Sequence, residues 1–214
     1  MIDLKDVTLL AISSIRIPGM IQSLEICSKE INFGVIKLIS HERPNFLPEY
    51  IQFEQCSQIK DIDDFNYYMF LEMGKHVSTS HCLIVQDHAY ILNPEKWNNA
   101  WLNYDYIGSP WRIVENSYIS NDYTRSRVGN GGFSLRSKKL LDLPKKMGWN
   151  LREEQGWKNE DGNICCYWKK EMLSKGIKYA PLELAVHFGF ENVIEENKYI
   201  KPFGFHRNLP PWDY

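Results

Sequence analysis

Two apolar runs separated by a helical stretch constrain this chain's fold more than any other feature. Residues 7–12 (Val-Thr-Leu-Leu-Ala-Ile) carry no alternation, the pattern of a strand buried on both faces. Ser13-Ser14 ends the run, and Pro18 suits the first turn of a helix, where its missing N–H has no partner to lose. Ile21, Leu24, Cys27 and Ile31 recur at helical spacing on one face. Gly34 is read as the close of that helix, and residues 35–39 (Val-Ile-Lys-Leu-Ile) as a second buried strand. Such a unit predicts a parallel pair joined by a crossover helix. The expected class is α/β, with a mixed, mainly parallel central sheet flanked by helices. No G-x-G-x-x-G follows the first strand, which argues against dinucleotide chemistry.

Further along, Asp63-Asp64 reads as the cap of a second helix with Phe65, Tyr68, Met69, Met73 and His76 inward. His76 there is a helix-end or core histidine. Residues 81–85 (His-Cys-Leu-Ile-Val) form another buried strand that stops abruptly at Gln86-Asp87-His88. Polar residues at the carboxyl end of a buried parallel strand are where open α/β sheets bind ligands, and an Asp beside a His offers metal donors; a solvated loop is the plain alternative. Pro94 and Trp97 begin a short amphipathic segment, and residues 104–111 make an aromatic turn. Residues 112–127 are polar and irregular, as a mobile loop would be. Ser137 is expected to cap a helix stopped by Pro144, Asn159-Glu160-Asp161 to open another, and residues 177–181 to form an edge strand. Two acids at a helix start are ordinary dipole partners, and they are also what a general base looks like.

Val128-Gly129-Asn130-Gly131-Gly132 needs a backbone reason, because glycine is entropically costly to order. Either the chain turns through positive φ or a ligand approaches the main chain closely. The Phe-Ser-Leu-Arg of residues 133–136 then alternates as an edge strand does. Taken alone, the stretch reads first as a Gly-rich hairpin that binds nothing.

A chain of 214 residues is long enough for one domain with a real core. Its net charge of −2 and lack of a basic block argue against a nucleic-acid polymer as partner. Five cysteines without a C-x-x-C suggest reduced thiols and a cytoplasmic setting. Neither a signal-peptide pattern, nor a transmembrane segment, nor an amphipathic basic helix is read from the sequence.

Taken in order, several pieces resemble GT-A-type nucleotide-sugar glycosyltransferases, whose domain is Rossmann-like. Within that class they resemble a little-characterised bacterial surface-polysaccharide family long labelled a domain of unknown function. The pieces are residues 8–13, Val85-Gln86-Asp87-His88 with Asn93-Pro94, residues 104–111, residues 128–136, Asn159-Glu160-Asp161, residues 180–185, and Phe203-Gly204-Phe205-His206. They span nearly the whole chain, each weak alone and fairly specific as an ordered set.

The resemblance implies one domain over residues 1–214, with a nucleotide-binding half (1–110) and a donor-sugar and acceptor half (128–214). It implies a nucleotide-diphosphate sugar donor, a glycan or lipid-linked glycan acceptor, and a divalent cofactor, Mn²⁺ or Mg²⁺. Ala11, Ser13 and Ser14 would hold the nucleotide base. Gln86 and Asp87 would hold ribose and diphosphate. Gly131 and Gly132 would line the donor sugar. Asp161, with Glu160 beside it, would supply the base of an inverting reaction, and Asp87, His88 and His206 would face the metal. Residues 112–127 would close over the donor. Attachment to the inner membrane face would follow from a lipid-linked acceptor.

The chain departs from the family's Gln-x-Asp, since Asp87 stands in the middle and His88 takes the final place. Asp87 then serves from a shifted loop, or His88 faces the metal, or metal binding is weakened or absent. Two other classes remain. A nucleotidyltransferase would need a Gly-rich, Arg/Lys-bearing loop after the first strand, of which Ser13-Ser14-Ile15-Arg16 is a poor version. A catalytically inactive nucleotide- or sugar-binding module would fit the altered acid motif.

Overall fold

The structure is a computed structural model that describes residues 1–115, 117, 119, 127–154 and 156–212. The first unit forms as expected. β1 (Ile2–Ile12) leads into α1 (Ile17–Ser28), which buries Met20, Ile21, Leu24 and Cys27, and then into β2 (Ile31–Ser40), parallel to β1. β1 begins earlier than its apolar run. Its pairing of Ile2 with Ile31 draws Ile31 and Gly34 into β2, so neither belongs to the helix.

β3 (Gln52–Gln55) pairs parallel to β2. α2 (Ile62–Leu71) is capped by Asp61, whose carboxylate accepts from Asp64 N at 2.9 Å. Asp63 and Asp64 fall inside its first turn, where they complement the helix dipole. His76 ends a following 3₁₀ turn, buried, with its Nε2 2.6 Å from Tyr68 Oη. β4 (His81–Val85) lies parallel to β1, and β5 (Ala89–Ile91) and β6 (Tyr106–Gly108) follow.

β7 (Phe133–Ser137) is not an edge. It runs antiparallel between β4 and β6 with all five residues buried, which its alternating sequence conceals because its polar side chains find internal partners. α3 (Lys138–Met147) starts at the Ser137 cap but passes through Pro144 and ends at Gly148, φ 66°. Burial of Leu140, Leu141, Leu143 and Pro144 offsets the hydrogen bond that proline forgoes. α4 (Glu160–Gly162) gives way to a π-helical turn (Asn163–Tyr167) and α5 (Lys169–Ser174). Residues 177–181 contribute one bridge, Tyr106 to Tyr179, before Pro181 caps α6 (Leu182–Phe188). β8 (Gly189–Phe190) and β9 (Gly204–His206) complete the chain.

The main sheet has the order β3-β2-β1-β4-β7-β6, with β7 alone reversed, so the class is the mixed, mainly parallel α/β sheet expected. A small sheet, β5-β9-β8, adjoins it. Because β1 and β4 are parallel, Ser13 and Gln86 emerge at the same sheet edge. Reversed β7 begins there, and Gln86 N donates to Gly132 O at 3.1 Å. The ladder from Ala89 to His206 brings the tail to that edge too. Residues 116, 118 and 120–126 of the expected closing loop lie outside the described residues.

Candidate functional site

Positive φ does not explain the glycines, and the structure shows a further reason for two of them. Among residues 128–132 only Asn130 has positive φ, at 73°. Gly131 and Gly132 make room for side chains instead. A Cβ at Gly131 would stand 2.1 Å from Glu160 Oε1, and one at Gly132 would stand 2.2 Å from His206 Nε2. The stretch therefore admits two polar groups, one from α4 and one from β9.

The first belongs to a buried ion pair. Arg136, fully buried on β7, donates through Nη1 and Nη2 to both oxygens of Glu160 at 2.9 and 3.0 Å. Its Nε donates to Ser134 Oγ at 3.0 Å, and Tyr106 stacks on the guanidinium at 5.2 Å. Each guanidinium nitrogen thus has a partner, as a buried charge requires. Glu160 is therefore held, not free.

Asp161 is placed differently. Its Oδ2 accepts from Gly131 N at 2.9 Å and its Oδ1 from Gly162 N at 2.8 Å. It keeps an edge on a cleft, while protein on the other sides strips most of its water. That desolvation, then the adjacent Glu160 charge, raises its carboxyl to about 7 against the pull of the Gly131 N–H and Arg136.

The second polar group joins a hydrogen-bonded chain across the two sheets. Asn130 Oδ1 accepts from Gly132 N and Phe133 N, which turns its amide nitrogen to His206 Nδ1 at 2.8 Å. His206 Nδ1 then accepts, so its proton sits on Nε2, facing His88 Nε2 at 3.0 Å and Gln86 Oε1 at 3.1 Å. His88 Nδ1 donates to Asp87 Oδ1 at 2.6 Å, and Arg16 Nη1 donates to Asp87 Oδ2 at 3.1 Å. Glu191 Oε1 lies 3.1 Å from His206 Nδ1. Burial lowers the His206 pKa more than Glu191 raises it. Burial acts to raise Asp87, but Arg16 and His88 outweigh it and hold the carboxyl below its usual range.

Two clefts open here. One, of about 660 Å³, is walled chiefly by apolar side chains, including Ile12, Met20, Ile59 and Phe65, with Ser13, Ser14 and Arg16 at its side. The other, about 510 Å³, is polar and holds Gly131, Gly132, Asp161, Glu191 and His206, with Trp157 on its wall. Ile62, Phe65, Gln86 and Arg207 line both, so the clefts are contiguous.

Over residues 49–206 the chain matches the family described as Protein of unknown function (DUF5672). The chain belongs to the DUF5672 family. No curated protein matches it. Two solved structures are similar at low identity. A mannosyltransferase (PcManGT) from Pyrobaculum calidifontis, in complex with GDP-Man and Mn²⁺, has 9% identity and a TM-score of 0.49, with 81% of this chain and 53% of that chain covered. The apo-form glycosyltransferase GlyE of Streptococcus pneumoniae TIGR4 has 13% identity and a TM-score of 0.46, covering 96% and 56%. The chain thus spans about half the length of either structure.

In this DUF5672 chain, most residues singled out in the sequence meet at one place. Ser13, Ser14, Gln86, Asp87 and His88 line the apolar cleft, while Gly131, Gly132, Glu160, Asp161 and His206 line the polar one. Ala11 does not reach either; it is fully buried, and the wall begins one residue later at Ile12. Sequence reasoning missed Arg136, Asn130, Glu191 and Arg207. A signal existed for two of them, since an arginine in an apolar strand needs a buried partner and an asparagine among glycines tolerates positive φ. Arg207 itself has φ 63° and donates its N–H to His88 O at 2.8 Å.

Among the described residues, no group of three or more His, Cys, Asp and Glu side chains is arranged to hold a metal ion. The donors that do converge are the Nε2 atoms of His88 and His206 and the Oε1 of Gln86. A separation of 3.0 Å between the ring nitrogens suits adjacent positions on one ion at imidazole bond lengths of about 2.1 Å. Asp87 at His88 Nδ1 is the arrangement that orients a ligating histidine, and Glu191 beside His206 Nδ1 could receive the proton that His206 Nε2 would give up to an ion. In this arrangement the His206 Nε2 proton stands where an ion would lie, so these residues would hold a divalent cation only after that proton moves.

Proposed function

We propose that this chain transfers a sugar from a nucleotide-diphosphate donor to a glycan acceptor, with Asp161 as the base. The observation that carries the reading is a carboxylate poised at about 7 in a polar cleft that runs on into an apolar one of nucleoside size. A general base works best when its pKa lies near the working pH, and Asp161 has that value without help from a ligand. Glu160, committed to Arg136, acts by position and charge.

In this reading residues 1–110 supply the nucleotide half. The base and ribose occupy the apolar cleft beside Ser13 and Ser14, and the diphosphate lies at the junction near Gln86, Arg16 and Arg207. Residues 128–214 supply the other half, with the donor sugar against the main chain of Gly131 and Gly132 and the acceptor hydroxyl at Asp161. A divalent cation, Mn²⁺ or Mg²⁺, would be held by His88 and His206 and would supply positive charge to the departing diphosphate. Asp87 then stands behind His88 and against Arg16 instead of on the ion. Attack opposite the leaving group inverts the anomeric centre. The acceptor is a growing surface polysaccharide.

Thermal unfolding with UDP, GDP and CMP, each with and without Mn²⁺, tests the donor site. A nucleotide at about 100 times its dissociation constant adds about 2.7 kcal/mol of stability. One base raising the midpoint with Mn²⁺ is the expected result. A metal-independent shift removes the cation from the account, and no shift with any nucleotide favours an inactive module. Pyrophosphate release from a nucleoside triphosphate would identify a nucleotidyltransferase.

A further inference from the structure

Beyond the candidate site, charge is distributed unevenly. Residues 138–149 and 168–178 hold eight lysines and two acidic residues, in a chain whose net charge is −2. These two segments are neighbours in space. Lys139 Nζ, near the start of α3, donates to Gly176 O just beyond α5. Trp149, just beyond α3, stacks on Trp168, just before α5, with ring centroids 4.5 Å apart and planes 10° from parallel. Contacts at both ends in this order lay the two segments side by side and antiparallel. Leu140 and Leu143 pack with Met172 and Ile177 in one buried cluster, so the opposite faces of both segments look outward together.

That shared face combines cations with apolar tips. Met147 and Leu173 are 39% and 50% exposed, and Lys145, Lys146, Lys170, Lys175 and Lys178 are exposed on the same two segments. The acids that border it are already engaged. Asp142 pairs with Lys138 at 2.5 Å, Glu72 of the α2 C-terminus with Lys145 at 2.7 Å, and Glu171 with Arg152 at 2.9 Å. Asp105 accepts from Ser137 Oγ and Lys178 N. Lys146, Lys170 and Lys175 make no ion pair among the described residues, so their charge is available to a partner.

We infer that this face docks on an anionic lipid surface. Lysines at headgroup level, with a methionine and a leucine to enter the acyl boundary, match the chemistry of an interface-seeking surface. No helix among the described residues is long and apolar enough to cross a membrane. Attachment through this face is salt-sensitive. The inference is independent of the transferase reading.

Flotation of the full chain with phosphatidylglycerol-containing vesicles tests it, against pure phosphatidylcholine vesicles. Binding to the anionic vesicles alone, weakened by raising salt from 50 to 500 mM, is expected. Each lysine near an anionic surface contributes roughly fivefold, so Lys146→Ala, Lys170→Ala and Lys175→Ala together should weaken binding about a hundredfold. The triple variant's unfolding midpoint should stay within about 2 °C of wild type, because these side chains are exposed and make no ion pair among the described residues. Leu173→Ser in the wild-type background should weaken binding without changing the salt dependence. Failure to float with anionic vesicles, equal flotation with neutral ones, or unchanged binding by the triple variant overturns the inference. So does binding of the same face to RNA or an acidic protein with none to vesicles.

Discussion

Replacing Glu160 by Gln probes the pair that Gly131 makes room for, and it has two consequences. Arg136 is wholly buried, and Glu160 meets both of its terminal nitrogens. Removing one charge of a buried pair leaves the other uncompensated, at a cost of about 3–5 kcal/mol. That is a large part of the roughly 5–15 kcal/mol that stabilises a typical native domain. For a chain of this size it lowers the unfolding midpoint by roughly 6–20 °C. The second consequence concerns Asp161. Glu160 is the main charge raising its carboxyl, while Arg136 opposes it. With Glu160 neutral only Arg136 remains, so the Asp161 pKa falls below about 7. The pH at which donor turnover is half-maximal should move down with it. Differential scanning calorimetry and a pH–rate profile on one preparation read both effects. A midpoint within 2 °C of wild type, or a half-maximum that moves up, would refute the reasoning. Replacing Arg136 and Glu160 together by Met and Leu should recover most of the lost stability, because no buried charge is left behind.

Asp161→Asn should abolish transfer while nucleotide binding, read by thermal shift, survives. Its stability should also respond less to pH. A carboxyl raised in the folded state adds stability that is complete below its unfolded pKa and is lost as pH rises through about 7. The wild-type midpoint should therefore fall relative to that of the Asn variant between pH 6 and 8. Gly132→Ala places a Cβ 2.2 Å from His206 Nε2, and it should abolish any Mn²⁺-dependent part of nucleotide binding, measured by calorimetry. His206→Ala should remove the same Mn²⁺-dependent part and leave metal-independent binding intact. It should leave the Asn130 amide nitrogen with Glu191 as its remaining partner.

The sequence made the β1–α1–β2 unit legible because apolar runs and helical spacing report burial directly. It marked the sheet edge where Ser13 and Gln86 emerge for the same reason. Other features were hidden because they depend on partners far along the chain. Nothing local to Phe133-Ser134-Leu135-Arg136 shows that Arg136 meets Glu160, so a central strand reads as an edge. Gly34 looks like a helix end because the pairing of Ile2 with Ile31 is invisible from either segment. The glycine stretch was visible, but not the side chains that two of its glycines make room for. Its missing side chains answer Glu160 and His206, which lie about 30 and 75 residues onward. Glu160 and Asp161 look alike in sequence and are separated only by what surrounds them, an arginine for one and a cleft for the other. The lysine face escaped notice because its halves lie in two segments that meet only when α3 and α5 pack.

The most direct test of the central claim is nucleoside diphosphate release from a panel of nucleotide-diphosphate sugars, comparing wild type with Asp161→Asn. The expected result is release from one donor by wild type, faster with acceptor glycan, rising with pH to a half-maximum near 7 and absent from the variant. Equal release by the two proteins, or none by wild type from a donor it demonstrably binds, would contradict the assignment of this cleft to sugar transfer.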